Sequence, residues 1–172
     1  TSILKDVMIS DKRPEKALIY PRKKFSGRNN TGSITVRHKG GGAKQFVRIV
    51  DFKRDKFDIP ATIMAFEYDP NRNTRIALLN YADGAKRYII ASQEMKLGDK
   101  LMSSKKAITI QAGNRMPLRF IPTGMFIHDL ELAVNGGGKM CRSAGNAATL
   151  MALDGIKAQV KLPSGEIRLL SQ

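Results

Sequence analysis

Apolar residues in this chain come in runs of at most four, Ile63–Phe66 and Leu150–Leu153 among them, and turn-forming residues follow soon after each. A bilayer-spanning helix needs roughly 20 apolar residues in succession, so these runs exclude one. Their spacing suits strands. Ser33 to Arg37 alternates polar and apolar residues and reads as a half-buried strand, with Ile34 and Val36 on one face. Further strands are expected at Gln45 to Lys53, Ala61 to Tyr68, Arg75 to Tyr81 and Lys86 to Ala91. A second series follows at Met125 to Val134, Ala148 to Leu153, Ile156 to Leu162 and Glu166 to Leu170. Asp83-Gly84, Asp154-Gly155 and Pro163-Ser164-Gly165 supply the turns, because Gly accepts the positive φ that a tight hairpin requires. Only Ser143 to Leu153 suits a helix equally well, and its later half is read as strand. About ten short strands without regular intervening helices predict small barrels rather than a parallel sheet.

A cluster of turn residues at Gln111 to Asn114 sets a domain boundary near residue 110. The expected organisation is an extended basic arm over residues 1–30, a first β-barrel over 31–110 and a second over 111–172. Prolines and like charges, as in Lys12-Arg13-Pro14 and Tyr20-Pro21-Arg22-Lys23-Lys24, predict an arm that packs poorly until a partner orders it. Residue one is Thr with no apolar signal segment after it, so the sequence reads as a processed form or a portion of a longer one.

Charge narrows the class of partner. The chain carries 30 Lys and Arg against 15 Asp and Glu, a net +15. Lys12 to Lys56 alone holds 14 basic and three acidic residues, a net +11. A charge so confined is not a general solubility device, which would be mixed and evenly spread. A polyanion is the expected partner. Membrane-surface binding would want a basic amphipathic helix, and the Gly27 to Gly42 stretch of Gly, Asn, Ser and Thr is not one.

Gly40-Gly41-Gly42 and Gly136-Gly137-Gly138 each lie near a lysine but lack the spacing of a nucleotide-binding loop. An isolated triplet is most simply a hairpin tip. Flanked by His38, Lys39 and Lys44, or by Lys139 and Arg142, such a bare backbone becomes a place for a sugar-phosphate chain to approach. His128 alternates with Phe126, Leu130 and Leu132 and reads as a buried or half-buried histidine satisfied by a backbone partner, while Asp129 and Glu131 read as solvated or paired with lysine. The single cysteine, Cys141, cannot form an internal disulfide and reads as a small loop residue, in keeping with a reducing setting. No catalytic constellation, cofactor pocket or paired metal spacing is expected. Phe46, Phe52, Phe66, Tyr68, Tyr81 and Tyr88 fall within strand patterns where a core needs them. Few aromatics are then left as stacking platforms, which favours phosphate contact and shape recognition of folded RNA over single-strand stacking.

Several of these blocks, taken in order, resemble the large ribosomal subunit protein two family. They are Gly27-Arg28-Asn29-Asn30; Arg37-His38 with Gly40-Gly41-Gly42, Lys44 and Arg48; and Asp51-Phe52-Lys53-Arg54. Glu67-Tyr68-Asp69-Pro70-Asn71-Arg72, Asp83-Gly84 with Arg87-Tyr88-Ile89, and Arg142-Ser143-Ala144-Gly145 continue the likeness, which runs from about residue 14 to the end. The resemblance implies an all-β chain with an oligonucleotide-binding-type barrel followed by a Src-homology-three-like barrel. It also implies a non-enzymatic constituent of the large ribosomal subunit that binds large-subunit ribosomal RNA near the peptidyl-transferase centre, beside neighbouring ribosomal proteins, and supports subunit association and translation. Arg72 and Arg142 are the residues it marks first for RNA contact. Arg28, Arg37, His38, Gly40, Gly41, Gly42, Lys44, Arg48, Lys53, Arg54, Arg87 and Lys139 form the adjoining surface. Family members continue into a long basic tail that this sequence lacks, so a separate chain carrying it is one expectation. Asn146-Ala147-Ala148, Met125-Phe126 and the stretch Thr1 to Arg13 depart from the bacterial pattern, which points to a mitochondrial ribosome ahead of a plastid or bacterial one. The rival readings are a general single-stranded nucleic-acid binder, and an RNA-modifying enzyme that uses the barrels as delivery modules.

Overall fold

A computed structural model describes residues 9–23, 26–41 and 43–171. Among them the regular structure is almost all strand, with single turns of 3-10 helix at Lys16–Leu18 and Leu118–Phe120.

The first half is organised by a four-stranded antiparallel sheet. Its strands are β3 (Ala61–Glu67), β4 (Ile76–Tyr81), β5 (Lys86–Ile90) and β6 (Lys100–Leu101), in the order β5-β4-β3-β6. A bulge between Ile63 and Ala65 breaks the alternation of β3, turning Met64 out to solvent while Ile63, Ala65 and Phe66 all face inward. Asp83-Gly84 makes the β4–β5 turn as expected: Gly84 has φ +79° and the Asp83 carboxylate accepts the Ala85 N–H at 3.1 Å. The core contains Ile63, Phe66, Leu79, Tyr81, Ile89, Met95 and Leu101.

β1 (Ile19–Pro21) pairs antiparallel with β2 (Phe46–Arg48). The expected strand Gln45 to Lys53 therefore ends at Arg48, beyond which Val50 makes a lone parallel bridge to Tyr88. The arm also packs on the first half more closely than expected. Ser10 donates its N–H to the Phe66 carbonyl at 2.8 Å, Glu15 donates its N–H to Tyr88 Oη at 2.9 Å, and Lys86 pairs with the Glu15 carboxylate at 2.7 Å. The rest of the arm, residues 1–8 with Lys24 and Phe25, lies outside the described residues, as does Gly42.

The Ser33 to Arg37 strand does not form. Thr35 and Val36 both donate N–H groups to the Gly27 carbonyl, and Asn29 Oδ1 accepts from the Thr31 N–H, the Thr31 hydroxyl and the Ser33 N–H. A side chain that captures its neighbours' backbone in this way competes with a sheet ladder. Ile34 is left 62% exposed.

The second half is built on β7 (Phe126–Ile127), β10 (Ala148–Asp154), β11 (Lys157–Lys161) and β12 (Ile167–Ser171), ordered β12-β11-β10-β7. Beside it β8 (Leu130–Glu131) pairs with β9 (Gly138–Met140). Its core is Leu130, Ala148, Leu150, Ala158, Val160, Leu162 and Leu170. The single strand expected from Met125 to Val134 is thus two short ones. Asp129, at φ +52°, bends the chain between them so that β7 joins β10 while β8 joins β9. Phe126 consequently stands exposed while Leu130 is buried.

Candidate nucleic-acid interface

The turn after β3 is built around a buried carboxylate. Asp69 is 1% exposed; its Oδ1 accepts the Asn71 N–H at 2.9 Å and its Oδ2 lies 3.2 Å from Arg72 Nε. Asn71 spans outward from it, donating Nδ2 to the Phe46 carbonyl at 2.9 Å. A short side chain that bonds its own backbone two residues on makes a stiff turn, and this one delivers the Arg72 guanidinium to the ring of Phe52, 5.1 Å from carbon to centroid.

Arg142, from the second half of the chain, meets the same ring at 4.5 Å. Two arginines far apart in sequence thus rest on one phenylalanine. Ala144 ties the two segments together by donating its N–H to the side-chain Oδ1 of Asn73 at 3.2 Å. Among the described residues the Arg142 guanidinium has no hydrogen-bonding partner, so its N–H groups are available to a ligand.

On the Arg142 side of Phe52 runs a groove of about 710 Å³ lined by Lys53, Lys86, Arg87, Gly136, Lys139 and Arg142 among others. Arg87 bridges Asp51, at 2.6 Å, and Asp55. Partial burial opposes its charge, but the two carboxylates outweigh that and hold the guanidinium above its ordinary pKa. They also offset the charge it presents outward. Lys53 and Lys139 are exposed.

Arg54 stands apart from the surface expected of it. It is buried, has φ +46°, and donates its N–H to Asp51 Oδ1 at 2.8 Å and its guanidinium to the Gly113 carbonyl. Burial lowers its pKa, with Tyr81 and Asp51 acting against the shift. It is a buried strut linking the first half to the connecting segment at Gly113. Arg48 is half-buried and donates to the Phe46 carbonyl at 3.2 Å, while Lys44 lies 5.5 Å from the Phe46 ring. Arg28, Arg37, His38, Gly40 and Gly41 sit on a separate exposed loop, in which Arg28 donates to the Gly32 carbonyl at 2.9 Å and His38 adopts φ +58°.

The second glycine triplet is bare for a reason other than ligand approach. Gly138 donates its N–H to the Phe52 carbonyl at 2.9 Å, and a Cβ there would lie 2.0 Å from Asp129 Oδ1; one on Gly137 would lie 3.3 Å from Lys53 Cγ. Close packing of two backbones demands these glycines. Asp129 itself is turned inward rather than solvated. Burial pushes its carboxyl up to about 6, against the pull of Arg142, Arg54 and Arg72. Glu131 pairs with Arg115 at 2.7 Å instead of a lysine. His128 is half-buried, and burial together with Arg54 lowers its pKa, so it is neutral at pH 7. Burial raises the Cys141 thiol pKa, which keeps it protonated and unreactive. No cluster of metal-ligating side chains occurs among the described residues.

Sequence reasoning placed Phe52 in a core and so missed its part in joining the two arginines. The signal was present in Asp51-Phe52-Lys53-Arg54, where charges on both sides of an aromatic suit a half-exposed ring better than a buried one. Asp69, Asn73 and Asp129 were missed as site residues too, and for these only the Asp-Pro-Asn-Arg turn offered a cue.

Comparison with known families agrees with this geometry. The family model for Ribosomal Proteins L2, RNA binding N-terminal domain, matches residues 15–103, and that for Ribosomal Proteins L2, C-terminal domain, matches residues 111–172. An oligonucleotide-binding-type barrel followed by a Src-homology-three-like barrel accounts for the two β-rich halves and their separate cores. The chain therefore belongs to the ribosomal protein L2 family, whose members are structural, RNA-binding constituents of the large ribosomal subunit.

Proposed function

We propose that this protein locks segments of large-subunit ribosomal RNA together near the peptidyl-transferase centre and thereby supports subunit association. The observation that carries the reading is the meeting of Arg72 and Arg142 on the ring of Phe52. A guanidinium resting on an aromatic face keeps its N–H edge available for two hydrogen bonds to a phosphate or a base edge, which a lysine cannot reproduce. Because one arginine comes from each half, an RNA segment held by both is held by the whole molecule. Lys53, Arg87 and Lys139 line the adjoining groove, and Lys44 and Arg48 extend the basic surface along Phe46. The exposed loop with Arg28, Arg37, His38, Gly40 and Gly41 offers a second contact, to which Gly42 belongs by sequence.

Residues Asn146-Ala147-Ala148 and Met125-Phe126, which depart from the bacterial pattern, support a mitochondrial ribosome as the setting. The neighbours are other ribosomal proteins.

The test is binding to a transcribed large-subunit ribosomal RNA fragment and to unstructured oligonucleotides of equal length, over a salt series. Preference for the folded fragment, lost in Arg72→Lys and Arg142→Lys, is expected. Equal affinity for both ligands would replace this reading with that of a general single-strand binder.

A further inference from the structure

β12 is an edge strand. Among the described residues it pairs only with β11, in the register Lys157↔Ser171, Gln159↔Leu169 and Lys161↔Ile167, and the sheet ends there. Leu170 turns inward and is 6% exposed, whereas Ile167 and Leu169 on the opposite face are 57% and 59% exposed. Ile156, in the turn before β11, is 84% exposed. On that same outer face β11 presents Lys157, Gln159 and Lys161 beside the two aliphatic residues.

Uncovered edges are usually guarded by proline, by a bulge or by inward-pointing charge, since their unpaired N–H and C=O groups invite another strand. β12 contains no proline, its pairing with β11 has no register shift, and the charge on its inner face, Arg168, stays exposed and is paired with Glu166 at 2.8 Å. The outer side chains of its middle are aliphatic.

We propose that β12 is a docking edge for an extended segment of a separate protein, one with aliphatic side chains at alternate positions and carboxylates on the same face. Its backbone would continue the ladder, its aliphatic residues would cover Ile167 and Leu169, and a carboxylate would answer Lys161. This is strand addition, in which the main chain supplies affinity and alternate side chains supply specificity. RNA is a poor occupant, because Ile167 and Leu169 offer neither a donor for phosphate nor an aromatic face for a base. A second copy is disfavoured by the +15 that each chain carries.

The experiment uses the 172-residue chain labelled with ¹⁵N and a capped synthetic peptide, Glu-Thr-Val-Thr-Val-Thr-Glu, whose valines and glutamates share one strand face. The control peptide is N-methylated at the amides that would face β12. The expected result is saturable slowing of amide exchange, tenfold or more, confined to the edge amides of residues 167–171, and absent with the methylated peptide. Leu169→Lys, at an exposed position, should weaken the peptide tenfold while melting temperature and ribosomal RNA affinity stay at parent values. The proposal is overturned if the peptide protects nothing on β12 or if methylation makes no difference. It is equally overturned if sedimentation shows β12 occupied by a second copy, or if an oligoribonucleotide gives the same protection.

Discussion

Phe52 shows how one side chain can couple two halves of a chain. A cation over an aromatic ring contributes about 0.5–1 kcal/mol when exposed and about 2 kcal/mol when desolvated, and Phe52 carries two such cations. Phe52→Leu keeps an apolar side chain but removes both interactions. We expect it to reduce ribosomal RNA affinity about fivefold or more, by roughly 1 kcal/mol, with the salt slope unchanged because no charge is lost; filter binding over a salt series measures both. Asp129 illustrates the opposite situation, a charge the fold tolerates rather than uses. Its folded pKa is about 6 against an ordinary 3.8, so between those values the folded chain retains a proton that the unfolded chain has released. Raising pH through that window therefore favours unfolding, and the penalty is complete above it. Asp129→Asn, which also suits φ +52°, should raise the melting temperature at pH 7.5 and flatten its fall between pH 4 and 6.5. Part of the slope will persist, because burial, opposed by the Tyr88 hydrogen bond, also raises the Glu67 carboxyl.

Turns and strand ends carry the geometry of the site, and two glycines separate conformational strain from crowding. Gly84 has φ +79° with open space where a Cβ would lie, so Gly84→Ala should cost only the strain of a left-handed residue, about 1–2 kcal/mol. Gly113 has φ +94°, and a Cβ there would stand 2.5 Å from Met95 Cε and 2.8 Å from Leu101 Cδ1, while its carbonyl accepts from Arg54. Gly113→Ala should therefore cost more than twice as much, as urea unfolding of the two variants will show. The docked arm gives a second comparison. Tyr88 Oη accepts the Glu15 N–H and donates to the Glu67 carboxylate at 2.7 Å, so Tyr88→Phe cuts the arm's tether without emptying the core. Faster tryptic cleavage after Lys12 and Lys16, with stability lowered by no more than about 3 kcal/mol for the lost buried bond to Glu67, is the expected outcome. Cleavage at the parent rate would show that β1 pairing holds the arm alone.

At the scale of the whole molecule, electrostatics governs association. A chain of net +15 that neutralises several phosphates releases their counterions, so log affinity should fall linearly with log salt. Replacing Arg72 or Arg142 by Gln should reduce that slope by roughly 0.7–0.9 each, whereas Lys in the same places should lower affinity and leave the slope alone. Unequal effects of the two Gln variants would mean that the RNA is held by one half only. Arg54→Gln should leave the slope unchanged and instead reduce stability, since this residue is buried under the surface and meets the Gly113 carbonyl.

What the sequence determined by itself was mostly what local chemistry controls. Short apolar runs over residues 61–67, 76–81 and 86–90, closed by Asp83-Gly84, sufficed for three strands of the first sheet, and the Lys12 to Lys56 charge sufficed for a polyanionic partner. The motif series marked Arg72 and Arg142 before any fold was known. Tertiary structure decided the rest. Ser33 to Arg37 has the period of a strand, yet Asn29 Oδ1 takes the Ser33 N–H and the Gly27 carbonyl takes those of Thr35 and Val36. Met125 to Val134 reads as one strand until two different sheets claim its ends at Asp129. Arg54 and Lys53 are adjacent and alike in sequence, but one is buried and the other exposed. Phe52 became a shared platform only because a turn from one barrel and a loop from the other arrive at the same ring. Period and charge are properties of neighbours along the chain, whereas burial and shared contacts depend on segments about 90 residues apart in sequence, such as Phe52 and Arg142, which only folding brings together.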